Sequence, residues 1–317
     1  MPARCPSDEA FCPKGSWQGV TNALLPRKQT GAAMSSASRV CMDCPICGGT
    51  SRRDAPHPEV ELFRCMQCGH RFSRIKPGIS AEPYDPQYFQ KTHRNWFAHP
   101  DLALFEQIAR RAEREPEPRS LIDVGCGNGN LLRYLAVRLG PKTALVGIDL
   151  SANKSTANIE FIRGDVLSAA LDRQFSIVVS LATIEHISDV RSFTRRLRSL
   201  AKPNGLAIVM TLNDDSLLYR TARLLNRVGI SIAFDRLYSR HHLHHFSRSS
   251  LSHLLASEGL KPEAVILHNA PFAAIDVPAS SPAGAAVLRL GVGALNGLGR
   301  LSRKSYLQTV ICHREQA

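Results

Sequence analysis

Residues 121–132 read LIDVGCGNGNLL, the most informative stretch of the chain. A short apolar run contains one acid, Asp123, and is followed by glycines at every second position, Gly125, Gly127 and Gly129. Glycine adopts positive φ angles at little cost and lets a ligand approach the backbone closely, while the start of a helix offers unpaired N–H groups. The stretch therefore predicts a buried parallel strand that turns sharply into a helix, with a ligand-binding loop between them.

The spacing of these glycines distinguishes two kinds of cofactor loop. Dinucleotide-binding proteins use G-x-G-x-x-G, whereas here the third glycine comes one residue earlier and Asp123 precedes the loop. This D-x-G-x-G-x-G pattern resembles motif I of the class I S-adenosylmethionine (SAM) dependent methyltransferases. The resemblance implies that Asp123 and the three glycines bind SAM. The alternative is an ordinary tight turn between a strand and a helix.

Acidic residues end the next two predicted strands. ALVGID ends at Asp149, about twenty residues past the loop, where a carboxylate can accept hydrogen bonds from both ribose hydroxyls. IEFIRGD ends at Asp165. The resemblance assigns the ribose to Asp149, and the adenine to Asp165 and the backbone N–H of Val166. A turn or N-cap role is the alternative for Asp149.

The connection between these two strands departs from the family pattern. Only the short segment SANKSTAN, residues 151–158, precedes the third strand. The helix usual at this place is therefore predicted to shrink to about one turn, which would leave the adenine pocket more open.

A second motif follows the fourth predicted strand. FSIVVSL is continuously apolar, as expected for a strand covered on both faces, and it ends at Leu181. The next residues, ATIEHISD, resemble the EHV-x-D segment of many small-molecule methyltransferases, including those that act on quinone precursors. Ligands of open α/β sheets bind at this carboxyl edge, so we expect Leu181 to contact SAM.

His186 within this motif is a candidate general base, because an imidazole titrates near neutral pH. A supporting role in the loop is its alternative, and Glu185 is a weaker candidate for SAM or metal binding. Residues 214–248 read as an insertion that ends in a histidine-rich run, YSRHHLHHFS. Its HLHHFS part resembles a family segment that precedes a helix. His244 and His245 are the next candidates for the base, and the histidines could also line the acceptor site or bind a second metal.

The C-terminal part supplies the last two predicted strands, PEAVILHN and YLQTVICHR. Between them, residues 272–304 are apolar, glycine-rich and flanked by basic residues. This segment predicts a lid-like helix, with a peripheral membrane or lipid contact as the alternative, while Arg289 and the glycines argue against a membrane span. The resemblance implies an α/β fold, a Rossmann-like seven-stranded sheet with strand order 3-2-1-4-5-7-6 flanked by helices, over residues 80–317.

Two CxxC motifs precede this domain, in CPICGG (residues 44–49) and CMQCGH (residues 65–70). Four thiolates at the corners of a tetrahedron suit a structural Zn²⁺ site, and four protein ligands leave no open position for catalysis. We therefore expect a small N-terminal zinc ribbon over residues 41–76, with Cys41 and His70 as substitute ligands. The predicted ligands are Cys44, Cys47, Cys65 and Cys68.

Residues 1–40 are rich in Pro, Ser, Ala and Gly without periodicity and are predicted to be a disordered tail. Met34 and Met42 are alternative starts. Tyr84, Tyr88 and Phe89 form an aromatic lead-in that could line the SAM pocket or simply pack. An amphipathic helix follows them.

Composition limits the cellular setting and the partners. Of the 317 residues 44% are hydrophobic, yet no apolar run is long enough for a bilayer and no secretory signal is present, so we expect a cytoplasmic protein. The net charge of +13 would suit RNA, a membrane surface or another anionic partner. Arginine is nevertheless spread along the whole chain. The sequence does not specify an oligomeric state.

The predicted function is methyl transfer from SAM to a small-molecule acceptor, a sugar, quinone-like or lipid-like metabolite, at oxygen. Family members hold the methyl donor in line with the nucleophile, so proximity lowers the barrier and a base is optional. An rRNA or tRNA methyltransferase with a zinc module is the second reading, although no Asn-Pro-Pro-Tyr motif follows the fourth strand. A non-catalytic module that binds SAM or zinc is the third.

Overall fold

The structure, a computed structural model, describes residues 41–80, 94–151, 153–277 and 281–315. They belong to a single unit, Arg39–Ala317. The tail predicted over residues 1–40 lies outside the described residues, as do Tyr84, Tyr88 and Phe89. Within the described parts of the chain, no helix has the length and apolar character needed to cross a bilayer.

The strands fall into two sheets. In chain order they are β1 (Met42–Asp43), β2 (Thr50–Pro56), β3 (Val60–Cys65), β4 (Arg71–Ile75), β5 (Ser120–Val124), β6 (Ala144–Asp149), β7 (Ile159–Arg163), β8 (Phe175–Leu181), β9 (Ala201–Leu212), β10 (His244–His245), β11 (Leu260–His268) and β12 (Leu307–Arg314). The helices are α1 (Arg94–Ala98), α2 (Leu102–Ala112), α3 (Asn130–Leu139), α4 (Val190–Leu200), α5 (Leu217–Arg227), α6 (Ile232–Leu237), α7 (Arg248–Ser257) and α8 (Pro282–Leu301). Short 3-10 helices span Ile184–His186 and Phe272–Ala274.

The larger sheet has seven strands in the order β7-β6-β5-β8-β9-β12-β11, which confirms the predicted order 3-2-1-4-5-7-6. Strands β5 to β9 pair in parallel, and β12 runs antiparallel to both β9 and β11. Strand β11 therefore points the same way as the parallel strands. As a result, the carboxyl ends of six strands meet at one edge of the sheet.

Successive side chains of β5 point alternately into two hydrophobic cores, one on each face of the sheet. Successive side chains of a strand point to opposite faces, so Leu121 packs in one core with Leu104 of α2 and Leu132 of α3. Ile122 packs in the other core with Phe193 of α4. Helices thus cover both faces of the sheet, which explains why its central strands are apolar throughout.

The start of α7 and the connection between β6 and β7 both have the local structure that the sequence predicts. Ser247 caps α7, because its side chain accepts a hydrogen bond from the backbone N–H of Ser250 and the Ser250 side chain binds the N–H of Ser247 in return. This cap was predicted from the sequence. Between β6 and β7 the described residues contain no helix, in agreement with the shortened segment SANKSTAN.

The smaller sheet joins the N-terminal module to the α/β domain. Its order is β1-β2-β3-β4-β10, so the ribbon strands are extended by His244–His245 from the predicted insertion. His244 pairs with Phe72, and His245 pairs with Arg71. The ribbon is therefore an integral part of the fold, since its sheet is completed by a strand of the larger domain.

Candidate cofactor cleft and cysteine cluster

The glycine loop between β5 and α3 has the conformation that the sequence predicted. Gly125, Gly127 and Gly129 have φ angles of 76°, 52° and 77°, in a region that residues with a Cβ rarely adopt. Space is also limited, because a Cβ on Gly125 would lie 2.2 Å from Oγ1 of Thr183, and one on Gly129 would lie 2.5 Å from the ring of Phe161. The loop therefore needs glycine for both conformation and close packing.

Asp123 lies at the bottom of this loop and is almost completely buried. Its Oδ1 atom has no hydrogen-bond partner among the described residues. Burial, with a smaller contribution from the charge of Asp149, raises the pKa of the Asp123 carboxyl to about 7. A buried carboxylate without a partner is costly, and a cationic ligand group would satisfy it. The site thus fits the positively charged amino acid part of SAM.

Asp149 at the end of β6 holds the glycine loop from the side. Its Oδ2 accepts a hydrogen bond from the backbone N–H of Gly127 at 2.9 Å, and its Oδ1 accepts the hydroxyl of Ser151 at 2.6 Å. Asn153 donates to the Gly127 carbonyl oxygen at 2.6 Å. The residues after β6 therefore support the loop that the sequence assigned to SAM.

The predicted adenine residues lie just after β7. The Asp165 side chain is exposed and accepts a hydrogen bond from the backbone N–H of Leu167 at 2.9 Å. Val166 is buried, and its carbonyl accepts a hydrogen bond from Arg196 at 3.0 Å. Both residues follow a strand whose carboxyl end belongs to the same edge as the glycine loop.

A cleft opens beside the glycine loop, and we call it the cofactor cleft. Its lining comprises Trp96, Phe97, His99, Pro100, Asp101, Leu104, Phe105, Asp123, Gly125, Cys126, Gly127, Asn128, Asn130, Leu131, Leu181, Ala182, Met210, His268, Pro271 and Leu307. Four of the eight predicted SAM residues contribute, namely Asp123, Gly125, Gly127 and Leu181. The other four, Gly129, Asp149, Asp165 and Val166, lie outside this lining.

His268 in the cleft is a functional candidate that the sequence analysis missed. Its Nδ1 lies 3.0 Å from Oδ2 of Asp101, and its Nε2 lies 2.9 Å from Oγ1 of Thr309. His268 ends β11, whose carboxyl end shares the edge of the parallel strands. The position of His268 at the end of a predicted strand was the signal that could have identified it. That signal can be used only when the direction of β11 is known, and the pairing with β12 gives this direction.

His186, the base predicted from the IEHIxD motif, ends a short 3-10 helix. Its Nδ1–H donates to the carbonyl oxygen of His241 at 2.6 Å, and its ring lies 5.0 Å from that of His242. His186 is not among the residues that line the cofactor cleft. The neighbouring Glu185 is buried and accepts a hydrogen bond from Thr211, and burial raises the pKa of its carboxyl to about 7.

His244 and His245 are placed away from the cleft, in the strand that completes the ribbon sheet. Nδ1 of His244 lies 3.1 Å from Nε2 of His70, and Nε2 of His245 lies 2.9 Å from Oγ of Ser73. Burial lowers the pKa of His244 to about 4 and that of His245 well below its usual value. Neither residue is among those that line the cofactor cleft.

Residues 96–265 match the family model described as a methyltransferase domain. The chain belongs to the class I SAM-dependent methyltransferases. Among curated relatives, the ubiquinone biosynthesis O-methyltransferase of Brucella ovis is 33% identical over 162 residues, 45% of this chain and 61% of the relative. The enzyme of the same name from Rhodopseudomonas palustris is 32% identical over 151 residues, 43% of this chain and 58% of the relative. The chain thus spans about three fifths of these relatives.

Solved structures support the fold of this methyltransferase domain. A chain in the complex between the Haloferax volcanii Trm112 methyltransferase activator and a methyltransferase aligns with a TM-score of 0.50. The match covers 73% of this chain and 93% of that chain, at 15% sequence identity. At this identity the likeness concerns the fold alone.

The four predicted cysteine ligands meet at one end of the small sheet. Their sulfur atoms all lie within 4.8 Å of one another, with Cys44 3.6 Å from Cys68 and Cys47 3.5 Å from Cys65. These distances are close to the edge of about 3.8 Å that four sulfurs at about 2.3 Å from Zn²⁺ would form. The donor set therefore fits a tetrahedral zinc ion. Cys41 is exposed and His70 binds Ser250 and His244, so neither belongs to this group.

Backbone amides around the cluster also favour thiolates. The N–H of Ile46 lies 3.4 Å from the sulfur of Cys44, and those of Gln67 and Cys68 each lie 3.4 Å from the sulfur of Cys65. Hydrogen bonds to ligand atoms orient the ligands and tune a metal site. The knuckle geometry thus supports metal binding beyond the mere presence of four cysteines.

Buried ionic contacts fasten this module to the methyltransferase domain. Arg71 of β4 donates to Asp214, at 2.5 Å, and to Asp54. Asp214 also accepts hydrogen bonds from Arg223 and from the hydroxyl of Tyr238. In addition, Arg191 of α4 donates to the backbone carbonyls of Pro45 and Ile46 in the first knuckle. The first cysteine knuckle is therefore hydrogen-bonded directly to the helix that follows the IEHIxD motif.

Proposed function

We propose that this chain transfers the methyl group of SAM to an oxygen atom of a small-molecule acceptor of the quinone-precursor type. The observation that carries the cofactor assignment is Asp123, a buried carboxylate with one oxygen unpartnered among the described residues, in the wall of the cleft. The acceptor class is supported by relatives that are named as ubiquinone biosynthesis O-methyltransferases. The proposed transfer to oxygen also covers sugar and lipid-like acceptors.

SAM, when bound, supplies an activated methyl group on a sulfonium. Asp123 would bind its cationic amino acid part, and the glycine loop would let the ligand approach the backbone without a Cβ between them. Asp149 would accept the ribose hydroxyls, and Asp165 with the N–H of Val166 would hold the adenine, as the family resemblance implies. Oδ2 of Asp149 accepts the N–H of Gly127 and Oδ1 accepts the N–H and hydroxyl of Ser151, so the ribose hydroxyls would share or displace these donors.

The apolar part of the lining suits an aromatic acceptor. Trp96, Phe97, Phe105, Met210 and Leu307 contribute broad apolar surfaces to the cleft. Ligand sites of this kind combine apolar walls with a few polar groups that set the orientation of the ligand. A flat, weakly polar ring would therefore be held with its hydroxyl towards the polar residues, while water is displaced from the apolar walls.

We infer that His268, rather than His186, removes the proton from the acceptor hydroxyl. Asp101 accepts a hydrogen bond from Nδ1 of His268, which places the lone pair of the neutral ring on Nε2. A general base must lie within hydrogen-bond reach of its substrate, and His268 lines the cleft whereas His186 does not. Thr309 would give up its contact with Nε2 when the acceptor hydroxyl replaces it.

We also propose that the four cysteines bind a structural zinc ion that positions the loop behind the cleft. The N–H of Ser73 in the ribbon donates to the Leu243 carbonyl, and the N–H of Leu243 donates to the Glu185 carbonyl. This chain of backbone contacts leads from the ribbon sheet to the segment between β8 and α4. The ion would thus act through folding and not through contact with the acceptor.

The proposal is tested by incubating the full chain with SAM labelled in its methyl group and a set of ring-hydroxylated acceptors. Transfer of label to an acceptor oxygen is the expected result. His268→Gln should lower kcat by roughly 10²–10⁴-fold with little change in SAM affinity, whereas His186→Gln should retain most of the activity. Calorimetry that detects no SAM binding would remove the proposed function altogether, and an equal loss in both variants would remove the choice of His268.

A further inference from the structure

Helix α8 carries an apolar stripe on its solvent side. Val287, Leu290, Leu298 and Leu301 are 69%, 66%, 56% and 84% exposed. Together with exposed Ala294, they recur at intervals of three, four, four and three residues, which is the spacing of one helix face. A helix of a globular protein normally turns such a face to the core. In α8 the apolar face is exposed to solvent instead.

The opposite side of α8 explains how the helix is held without its apolar stripe. Gly299 packs against the carbonyl of Lys304, and Gly293 packs against the ring of Phe272, at distances that leave no room for a Cβ. Asn269 donates to the carbonyl of Asn296, which is buried. Glycine contacts and hydrogen bonds therefore hold the helix in place. The exposed leucines do not contribute to this packing and are accessible to another surface.

The exposed apolar area extends beyond α8. Helix α5 packs against α8, and the N–H of Leu217 at its start donates to the Lys304 carbonyl. From α5 to the start of α6, four further large apolar side chains are more than half exposed: Leu224, Val228, Ile230 and Ile232. We call the combined area, α8 with these four residues, the apolar face. Large exposed apolar side chains grouped on packed helices favour an interaction site.

The charge along α8 has one sign, whereas Asp235 lies three residues from Ile232 in the α6 part of the apolar face. Residues 277–314 contain no Asp or Glu, and Arg300 and Arg303 lie at the exposed end of α8. Arg227 at the end of α5 is also exposed. A helix with an apolar face and flanking arginines lies in the interface of a membrane that contains anionic lipids. Pairing of two copies through this face would instead bring like charges together.

The apolar face adjoins the cofactor cleft. Phe272, which contacts Gly293 of α8, follows the cleft residue Pro271. The 3-10 helix that begins with Phe272 packs against α1, whose Trp96 and Phe97 also line the cleft. A surface bound at the apolar stripe would therefore be separated from this cleft-lining region by the diameter of one helix, about 10 Å.

We propose that the apolar face docks onto the surface of an anionic phospholipid membrane and places the cleft at the bilayer. The docking itself is independent of the proposed methyl transfer. A further consequence, which rests on the proposed function, is that the acceptor is a membrane-resident amphiphile that enters the cleft from the lipid.

Flotation of the full chain with vesicles tests the docking. Binding is expected to vesicles that contain phosphatidylglycerol and not to vesicles of phosphatidylcholine alone. The double variant Leu290→Glu, Leu298→Glu should bind anionic vesicles more weakly by roughly tenfold or more, because two charges would enter the interface. The matched control is Val137→Glu on α3, where an 88% exposed valine lies outside the apolar face; it should bind like the wild type.

A charge series separates the basic flank from the apolar stripe. Replacing Arg300 or Arg227 by Gln should weaken binding by about fivefold each, whereas Arg173→Gln, outside the face, should not. Equal binding of wild type and the double variant would overturn the proposal, as would absence of vesicle binding. A wild-type dimer that the double variant converts to monomer, without vesicle binding, would assign the face to a second copy. SAM calorimetry on every variant distinguishes these failures from failure of the proposed function.

Discussion

The cofactor cleft and the cysteine cluster are both candidate binding sites, but different parts of the fold hold them in place. The cleft is built at the edge of a sheet with hydrophobic cores on both faces, and its glycine loop is fixed by neighbouring backbone and by Asp149. The cluster lies at the end of short strands, and Cys44, Ile46 and Cys65 pack in a hydrophobic core that they share with residues of the α/β domain. The comparison indicates that the cleft depends on packing, while the ribbon depends on its neighbour and, under the proposed zinc site, on a metal.

Replacing Cys44 and Cys65 by serine should produce the largest change in the molecule. Both cysteines are buried, and apparent zinc binding contributes about 10–16 kcal/mol to the folding of isolated zinc modules. The variant should lose near-stoichiometric zinc, measured by metal analysis, and several kcal/mol of unfolding free energy, measured by urea titration. Cys41→Ser is the control, because Cys41 is exposed and outside the cluster. Full zinc content in the double variant would contradict the ligand assignment.

Gly125→Val should damage the cleft and leave the ribbon intact. Its Cβ would meet Thr183 at 2.2 Å, and its φ angle of 76° is unfavourable for a β-branched residue. SAM affinity measured by calorimetry should fall by more than about 100-fold, because the loop would have to move away from the ligand.

Gly140→Val supplies the matched control for this prediction. Gly140 has a similar φ angle of 71°, yet a Cβ there would meet nothing within 4 Å. The control should lose stability through backbone strain and keep its SAM affinity. If both variants bound SAM equally well, the packing of the loop would not matter for the cofactor.

Arg71→Met tests the connection between the two regions. Arg71 and Asp214 form a buried pair, with 11% and 3% of their side chains exposed. Removing the cation should cost about 2–3 kcal/mol of unfolding free energy, less than a fully broken buried pair because Arg223 still neutralises Asp214. Arg173→Met breaks the exposed pair with Glu160 and should cost less than about 1 kcal/mol. Equal effects in urea unfolding would argue that the ribbon is only loosely attached.

The same two regions differ in how far the sequence could predict them. The cleft loop spans residues 123–129, where an apolar strand, an acid and glycines are signals within one short window. His244 and His245 were expected near the chemistry because of their local motif, but their partners, His70 and Ser73, are more than 170 residues away. A two-residue strand has no periodicity of its own, so its pairing with the ribbon could not be predicted.

The pH dependence of SAM binding sharpens the comparison further, since it isolates one group of the cleft. The pKa of Asp123 is raised from 3.8 to about 7, so below pH 7 the carboxyl of the free protein is protonated and cannot pair with a cation. SAM affinity should therefore rise by about tenfold per pH unit below pH 7 and level off above it.

The stability of the protein without SAM should change with pH in the opposite direction to SAM affinity: it should fall as the pH rises. Between the unfolded pKa and about pH 7 the folded state binds the additional proton, so this contribution to stability is lost as pH rises.

The pH dependence of SAM binding is measured by calorimetry at several pH values. Buffers with different heats of ionisation then give the number of protons released when SAM binds. Asp123→Asn should weaken binding at high pH and abolish the slope. A slope that persists in this variant would assign the titration to another group, with the buried Glu185 the next to be tested because its pKa is also about 7.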